Sequence, residues 1–465
     1  MSIRLFTMYM KVPIILLAMI EGSLLLFAPY LSAAVMYQGH NFESITATGN
    51  LFPTAALFAV IALASLVAVG LYSTRQRVGL AGILVRIMAA VANAAAISAL
   101  VYYFVPHLRI DRSVLLGTAV ISVVVCFLIR MLFERIVDED LFKRRVVVYG
   151  AGTRSRSLLE LRRRSDQRGF KIIGYITAEG DQVIAPADRL VERPGDLYQW
   201  ALQNDIDEIV VAMDDRRRAF PMHELLECRL AGIEILELPS FLERETGKVR
   251  LDVLNPSWII FGEGFRASPT LQLLERGFDL VASTALLLLA LPLMLLAMLG
   301  IKLEEGLKAP LFYRQKRVGH RGEVFDVLKF RSMRVDAEKF GAQYATKDDP
   351  RVTRIGGLMR KTRIDELPQL LNVFRGEMSF VGPRPERPEF VDELEQRIPY
   401  YRERHTVKPG ITGWAQLCYP YGSSEKDTIE KLQYDLYYVK NRSLLFDLAI
   451  LVQTVEVVLW GKGAR

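Results

Sequence analysis

Cysteine and histidine are scarce in this chain. Among 465 residues there are three cysteines (Cys126, Cys228 and Cys418) and five histidines. The cysteines lie far apart with no C-x-x-C pair, which argues against a disulfide framework and a zinc site, and the scattered histidines offer no His-based metal site. A complete G-x-G-x-x-G fingerprint is also missing, and no Tyr-x-x-x-Lys pair occurs. Charge is present but unbalanced, with 59 Lys and Arg against 52 Asp and Glu for a net +7. A basic excess suits an anionic partner, whether nucleic acid, a phospholipid surface or a phosphorylated substrate, and charge alone does not choose among them. Hydrophobic residues make up 51% of the chain beside 24% charged ones, so the apolar residues must be gathered in blocks.

Four such blocks come first, at residues 14–37, 51–72, 80–105 and 113–133. Each is long enough for a helix that crosses a hydrocarbon layer, which takes roughly 20 residues. Glu21 and Arg86 interrupt the first and third. A cleaved signal peptide would have a shorter apolar region and a small-residue cleavage site. Arg4 and Lys11 precede the first block, Arg75 and Arg77 lie in the second loop, and Arg135, Lys143, Arg144 and Arg145 follow the fourth, whereas residues 38–50 have no Lys or Arg. That bias places both ends of the bundle in the cytosol, with Arg109 and Arg112 in the third loop discordant.

Next, "RRVVVYGAGTRSRSLLEL" leads a β-branched run at residues 146–149 into a glycine turn and a helical pattern. Apolar runs recur at 171–176, 208–213 and 233–238 between helix-compatible stretches, which predicts βαβ units on a small parallel sheet. Ser155 stands where a dinucleotide turn has its third glycine, so a regulatory or assembly domain is favoured over a nucleotide-binding one. The run "DDRRR", residues 214–218, reads as a solvated loop after a strand.

A fifth block, residues 280–301, contains Pro292 and carries basic residues on both flanks. A spanning helix should be flanked asymmetrically, so the pattern favours a segment that enters the bilayer and returns on one face, bent at Pro292. An ordinary kinked fifth span is the alternative.

The remainder, from Lys302, holds the clustered charge. In "RIDELPQLLN", Leu367, Leu370, Leu371 and Phe374 recur at helical spacing, which predicts a short helix over about residues 366–374 with Asp365 as its N-cap. Asp365 and Glu366 stand side by side among Arg360, Lys361 and Arg363 upstream, Lys329, Arg331 and Arg334 in "VLKFRSMR", and Arg384 between Pro383 and Pro385 in "SFVGPRPE". Paired carboxylates ringed by Arg and Lys describe a site for phosphates with a divalent cation. His320 and His405 read as surface or packing residues, Trp414 as packing, Asp348 and Asp349 as a turn, and residues 444–460 as either an interfacial or a buried helix.

"KFRSM", "RKTRIDELPQLLNVFRGEMSFVGPRPE", "KPGITGWAQ" and "YDLYYVKNRSLLFDLAIL" resemble, in order and spacing, the bacterial sugar transferase family of monotopic phosphoglycosyl transferases over residues 270–465. With the preceding blocks the chain resembles that family's large form, as found in exopolysaccharide operons and in the exosortase-associated subgroup. The resemblance implies a membrane protein with a four-helix transmembrane bundle (1–140), a Rossmann-like α/β domain (141–265), and a re-entrant helix with a mainly helical cytosolic catalytic domain (266–465). It implies transfer of a hexose-1-phosphate from a UDP-sugar to polyprenyl (undecaprenyl) phosphate with release of UMP, the step that initiates lipid-linked exopolysaccharide or capsule repeat units. By residue, it implies Asp365 as nucleophile, Glu366 as the ligand of Mg2+, Arg360 and Arg384 as phosphate contacts, Lys329 and Arg331 in the motif lining the site, and Pro292 at the re-entrant bend. Leu291 replaces the serine common before that proline. The implied setting is the bacterial inner membrane, with a phospholipid partner, no nucleic acid, and a homodimer as a further expectation. The rival readings are a membrane-tethered nucleotide-sugar dehydratase or epimerase, which lacks its Tyr-x-x-x-Lys pair here, and a non-catalytic polysaccharide assembly scaffold.

Overall fold

The computed structural model describes residues 2–5, 8–37, 51–72, 80–136, 143–161, 169–215, 220–254, 269–334, 349, 351–420, 422 and 424–460. They form two compact units, Met1–Leu254 and Asn255–Arg465. The expected domain limits near residues 140 and 265 lie outside the described residues, as do the loops holding Arg75 and Arg77 and residues 38–50.

In the first unit a short antiparallel pair, β1 (Ser2–Leu5) and β2 (Met8–Lys11), precedes four apolar helices: α1 (Val12–Tyr37), α2 (Phe52–Ala68), α3 (Leu80–Phe104) and α4 (Arg112–Ile136). Leu25, Phe58, Leu66, Ile87 and Val91 fill the bundle core. The outer faces are equally apolar, with Phe27, Val60 and Leu116 bare, and the buried interior instead holds an ion pair, Glu21 with Arg130 at 2.7 Å. An apolar exterior around a polar pair suits lipid rather than water. α1, α3 and α4 are long enough to cross a membrane. α2 is shorter than its apolar block, at 17 residues, because the chain turns at Gly70 (φ 75°).

The second half of this unit is a parallel five-stranded sheet in the order β5-β4-β3-β6-β7: β3 (Arg144–Tyr149), β4 (Phe170–Ile176), β5 (Leu190–Val191), β6 (Glu208–Val211) and β7 (Glu234–Glu237). Four strands lie where the apolar runs predicted them, and the two-residue β5 carried no run to reveal it. Alternation along β3 sends Val146 and Val148 to one face, with Phe170 and Phe241, and Val147 and Tyr149 to the other, with Ile209 and Leu197. Burial on both faces explains the near-continuous Val/Ile composition. The helices are α5 (Arg156–Leu159), α6 (Leu197–Gln203), α7 (Met222–Leu230) and α8 (Leu238–Thr246). Of the charged run expected to be a solvated loop, Asp214 instead turns inward onto the glycine turn, and residues 216–218 lie outside the described residues.

The second unit begins with α9 (Pro269–Glu305), helical through Pro292. A hairpin follows, β8 (Phe312–Val318) with β9 (Val324–Phe330), and then α10 (Arg354–Thr362), a 3-10 turn (Ile364–Glu366) and α11 (Gln369–Arg375). Two three-residue strands, β10 (Ser379–Val381) and β11 (Gly410–Thr412), pair in parallel. They are surrounded by α12 (Pro388–Arg397), α13 (Trp414–Cys418), α14 (Glu425–Asn441) and α15 (Leu444–Trp460). The core joins Val373, Met378, Phe380, Tyr438, Phe446 and Ile450. Trp414 packs edge-on against Phe446 at 5.2 Å. Two polar residues of α15 turn inward, where Asp447 accepts from the Tyr438 hydroxyl at 2.8 Å and Thr454 shares a hydrogen bond with Thr412, while Leu445 and Leu448 stay bare.

Candidate active site

The site is built where α10, the 3-10 turn and α11 meet the end of β9. Arg363 ends α10 in the left-handed conformation (φ 61°), and the chain then makes the tight turn carrying Asp365 and Glu366. The expected N-cap role of Asp365 is therefore corrected. α11 starts three residues later than predicted, at Gln369, with Pro368 in the cap position, because a 3-10 turn occupies the space in front of it.

Asn372 fixes this segment to β9. It is fully buried; its Oδ1 accepts from the Leu328 amide at 3.0 Å and its Nδ2 donates to the Asp326 carbonyl at 2.8 Å and to Glu377 at 2.7 Å. The stitch presents the next β9 residue, Lys329, to Glu366, with Nζ 2.9 Å from Oε1. Arg363 lies 3.9 Å from the same oxygen.

The two carboxyls then diverge. For Glu366, burial alone would raise the pKa, but Lys329, Arg384 and Arg363 outweigh it and hold the group below its usual range. For Asp365, burial and then the neighbouring Glu366 charge push the pKa up, offset only in part by Lys329, Arg360 and Arg363. Asp365 is 8% exposed. Its Oδ1 is buried with no hydrogen-bond partner among the described residues. One carboxylate is thus ionised and engaged, the other shielded with a free oxygen.

The cations are held from behind. Arg360 Nε donates to Ser332 Oγ at 2.9 Å, and α10 sits so close to Ser332 that a Cβ on Gly356 would lie 2.1 Å from its carbonyl oxygen. Arg384 is fixed through its backbone: its carbonyl accepts from Arg404 Nη2 at 2.9 Å, and Arg404 is paired with Asp435 at 2.8 Å, both buried. Full burial raises the Asp435 pKa to about 6, against the pull of Arg404. Lys329, Arg360 and Arg384 therefore all act on the pair. No hydrogen bond or ion pair among the described residues joins Arg331 to it; the Arg331 amide donates to the Leu311 carbonyl at 2.9 Å and its Nε is buried without a partner. His405 is buried against Tyr401 and its pKa falls to about 3 through burial and the Arg404 charge, so it stays a neutral packing residue. Asp349 caps its own turn, accepting from the Arg351 amide at 3.0 Å. Among the described residues no group of three or more His, Cys, Asp or Glu side chains gathers to hold a metal.

α9 braces the site at both ends. Near its start Arg276 donates to the Val373 and Phe374 carbonyls at the end of α11, at 2.8 and 2.7 Å. In its last turn Glu304 accepts from the Arg354 and Ile355 amides at the start of α10, at 2.7 and 2.9 Å.

Residues 270–461 match the family described as bacterial sugar transferase, and residues 67–227 match the CoA-binding domain. A UDP-N-acetylgalactosamine-undecaprenyl-phosphate N-acetylgalactosaminephosphotransferase of Aeromonas hydrophila is 42% identical over 241 residues, 52% of this chain and 56% of that protein. The chain thus spans little more than half of that relative. A UDP-glucose:undecaprenyl-phosphate glucose-1-phosphate transferase of Xanthomonas campestris pv. campestris is 32% identical over 356 residues, 72% of this chain and 71% of that protein. The exopolysaccharide production protein PSS of Rhizobium leguminosarum bv. phaseoli is 40% identical over 197 residues, 41% of this chain but 98% of that protein.

Proposed function

The chain belongs to the bacterial sugar transferase family, and from that premise we propose that it transfers a hexose-1-phosphate from a UDP-sugar to polyprenyl phosphate, releasing UMP. The observation that carries this reading is the division of labour between adjacent carboxylates: Glu366 ionised against Lys329, Asp365 buried with an orphaned oxygen. In the first step Asp365 attacks the β-phosphorus, the bond from that phosphorus to the bridging oxygen breaks, and UMP departs. In the second, a phosphate oxygen of the acceptor attacks the same phosphorus and the Asp365 carboxylate leaves, giving a polyprenyl diphosphate sugar. Lys329, Arg360, Arg363 and Arg384 neutralise the phosphates as they approach a carboxylate. Glu366 would offer magnesium a hard carboxylate oxygen, with substrate phosphates as further ligands, which suits an ion usually held by one or two carboxylates and phosphates. Held by Glu366, such an ion would supply charge neutralisation for the diphosphate.

The reading places the catalytic unit on the cytosolic face of the bacterial inner membrane, where a soluble nucleotide sugar and a lipid phosphate both arrive. Two features support it. The basic residues Arg4, Lys11, Arg144 and Arg145 flank the bundle ends. α9 would be about 55 Å long if straight, and it bonds near its start to the end of α11 and in its last turn to the start of α10, contacts that suit a segment returning to its own side. Its bare leucines, among them Leu288, Leu289 and Leu296, then face lipid.

UMP release from a panel of UDP-sugars, with magnesium and polyprenyl phosphate, tests the reading. UMP formed with one sugar and abolished in Asp365→Asn supports it, with a strong loss also expected for Glu366→Gln. UDP in place of UMP would mean glycosyl transfer and sink the mechanism.

A further inference from the structure

The likeness to a CoA-binding domain implies a phosphate-bearing ligand on the parallel sheet. Such a sheet takes phosphates beyond the carboxyl ends of its strands, where the strand order reverses, on the amides of a glycine turn. Here that place lies between β3 and β6, and the chain fills it. Asp214, just past β6, accepts from the Thr153 amide at 2.8 Å through Oδ2, and from the Arg154 amide at 2.9 Å and the Thr153 hydroxyl at 2.8 Å through Oδ1. Asp181, past β4, accepts from the Ala151 amide at 2.8 Å and from the Asp214 amide at 3.2 Å. Three of the turn's amides are therefore spent on carboxylates.

The glycines serve the same closure. A Cβ on Gly152 would lie 2.1 Å from Asp214 Oδ2, and one on Gly150 (φ +119°) 2.5 Å from the backbone of Ala212 and Met213. In a nucleotide site, the glycines make room for a ligand's phosphates; here they make room for a neighbouring strand end and its carboxylate. Burial would raise the Asp214 pKa, but the Arg154 and Thr153 amides outweigh it and hold the group below its usual range, so the plug keeps its negative charge.

We propose that the glycine turn is a self-occupied anion site, in which Asp214 stands where a pyrophosphate would stand, so that the α/β domain binds neither coenzyme A nor a dinucleotide through this turn. The likeness of residues 67–227 to a CoA-binding domain is then one of fold alone.

Hydrogen exchange on the full-length protein in lipid nanodiscs tests this. In the wild type the Thr153 and Arg154 amides exchange slowly without ligand, and millimolar coenzyme A or NAD leaves them unchanged. In Asp214→Ala they exchange about tenfold faster or more, since a broken hydrogen bond opens that stretch locally, and inorganic pyrophosphate restores protection by entering the vacated cradle. Should that variant fail to fold, Asp214→Asn keeps one acceptor oxygen and is expected to release one of the two amides. Protection of amides 151–154 by coenzyme A in the wild type would overturn the proposal, as would unchanged slow exchange in the Asp214 variants.

Discussion

At the scale of single residues, the two carboxyls make a pH-dependent claim. In the proposed reaction Asp365 must be ionised to attack phosphorus, and its pKa is raised by burial and by Glu366 while Lys329 works against the rise. The acid limb of UMP release should therefore lie above the ordinary aspartate value of about 3.9. Removing the Lys329 charge removes a pKa-lowering influence, so the limb in Lys329→Met should move to higher pH as well as the rate falling; a lower rate with the limb unmoved would show that Lys329 does not act on Asp365. A second residue-scale claim concerns support. Asp435→Asn leaves Arg404 buried without its partner and should cost about 3–5 kcal/mol. The exposed pair Glu393–Arg397, at 2.9 Å, should lose less than about 0.5 kcal/mol in Glu393→Gln. Melting curves in detergent compare the two, and similar shifts would mean that the Arg404–Asp435 pair does not hold the Arg384 carbonyl in place.

At the scale of elements, the course of α9 decides whether the proposed site lies at the membrane face. If α9 returns to its starting face, a thiol-reactive reagent that cannot cross the bilayer should label Gln272→Cys and Leu307→Cys from the same side of sealed vesicles. The background for this is a chain with Cys126, Cys228 and Cys418 replaced; labelling from opposite sides would make α9 an ordinary span. Elements of this kind were legible because their signal is local: apolar blocks for the helices, β-branched runs for four strands, and a run of Arg, Lys, Asp and Glu around residue 365 for the site. The onset of α11 was missed because helical spacing of Leu367, Leu370 and Leu371 also suits a 3-10 turn followed by a helix. Asn372, Arg404 and Asp435 were missed for another reason. Each is a polar residue inside a helical or charged stretch, and only the packing of distant segments shows that it is buried and what it holds. Asp214 is the sharpest instance, since nothing in "DDRRR" separates an aspartate facing water from one facing the glycine turn.

At the scale of the molecule, the chain is two units with separate cores, and the residues proposed for catalysis all lie in the second. Among the described residues, the bundle core uses Phe58, Leu66 and Ile87, the sheet core Val148 and Phe241, and the core of the second unit Val373, Phe380 and Phe446. The brace on the site comes from α9, which belongs to the same unit as the helices that it caps. A relative almost wholly covered by a 197-residue match shows that the family includes chains of about this unit's length. Residues 266–465 expressed alone should therefore reach the membrane through α9 and release UMP from the same UDP-sugar as the full chain, with the dependence on Asp365 intact. The informative measurement is the ratio of rates across the sugar panel rather than the absolute rate, because a change in the yield of folded protein alters the absolute rate but not the ratio. An inactive fragment that is folded and membrane-bound would mean that the first unit contributes directly to chemistry, and a changed sugar preference would mean that it contributes to the pocket.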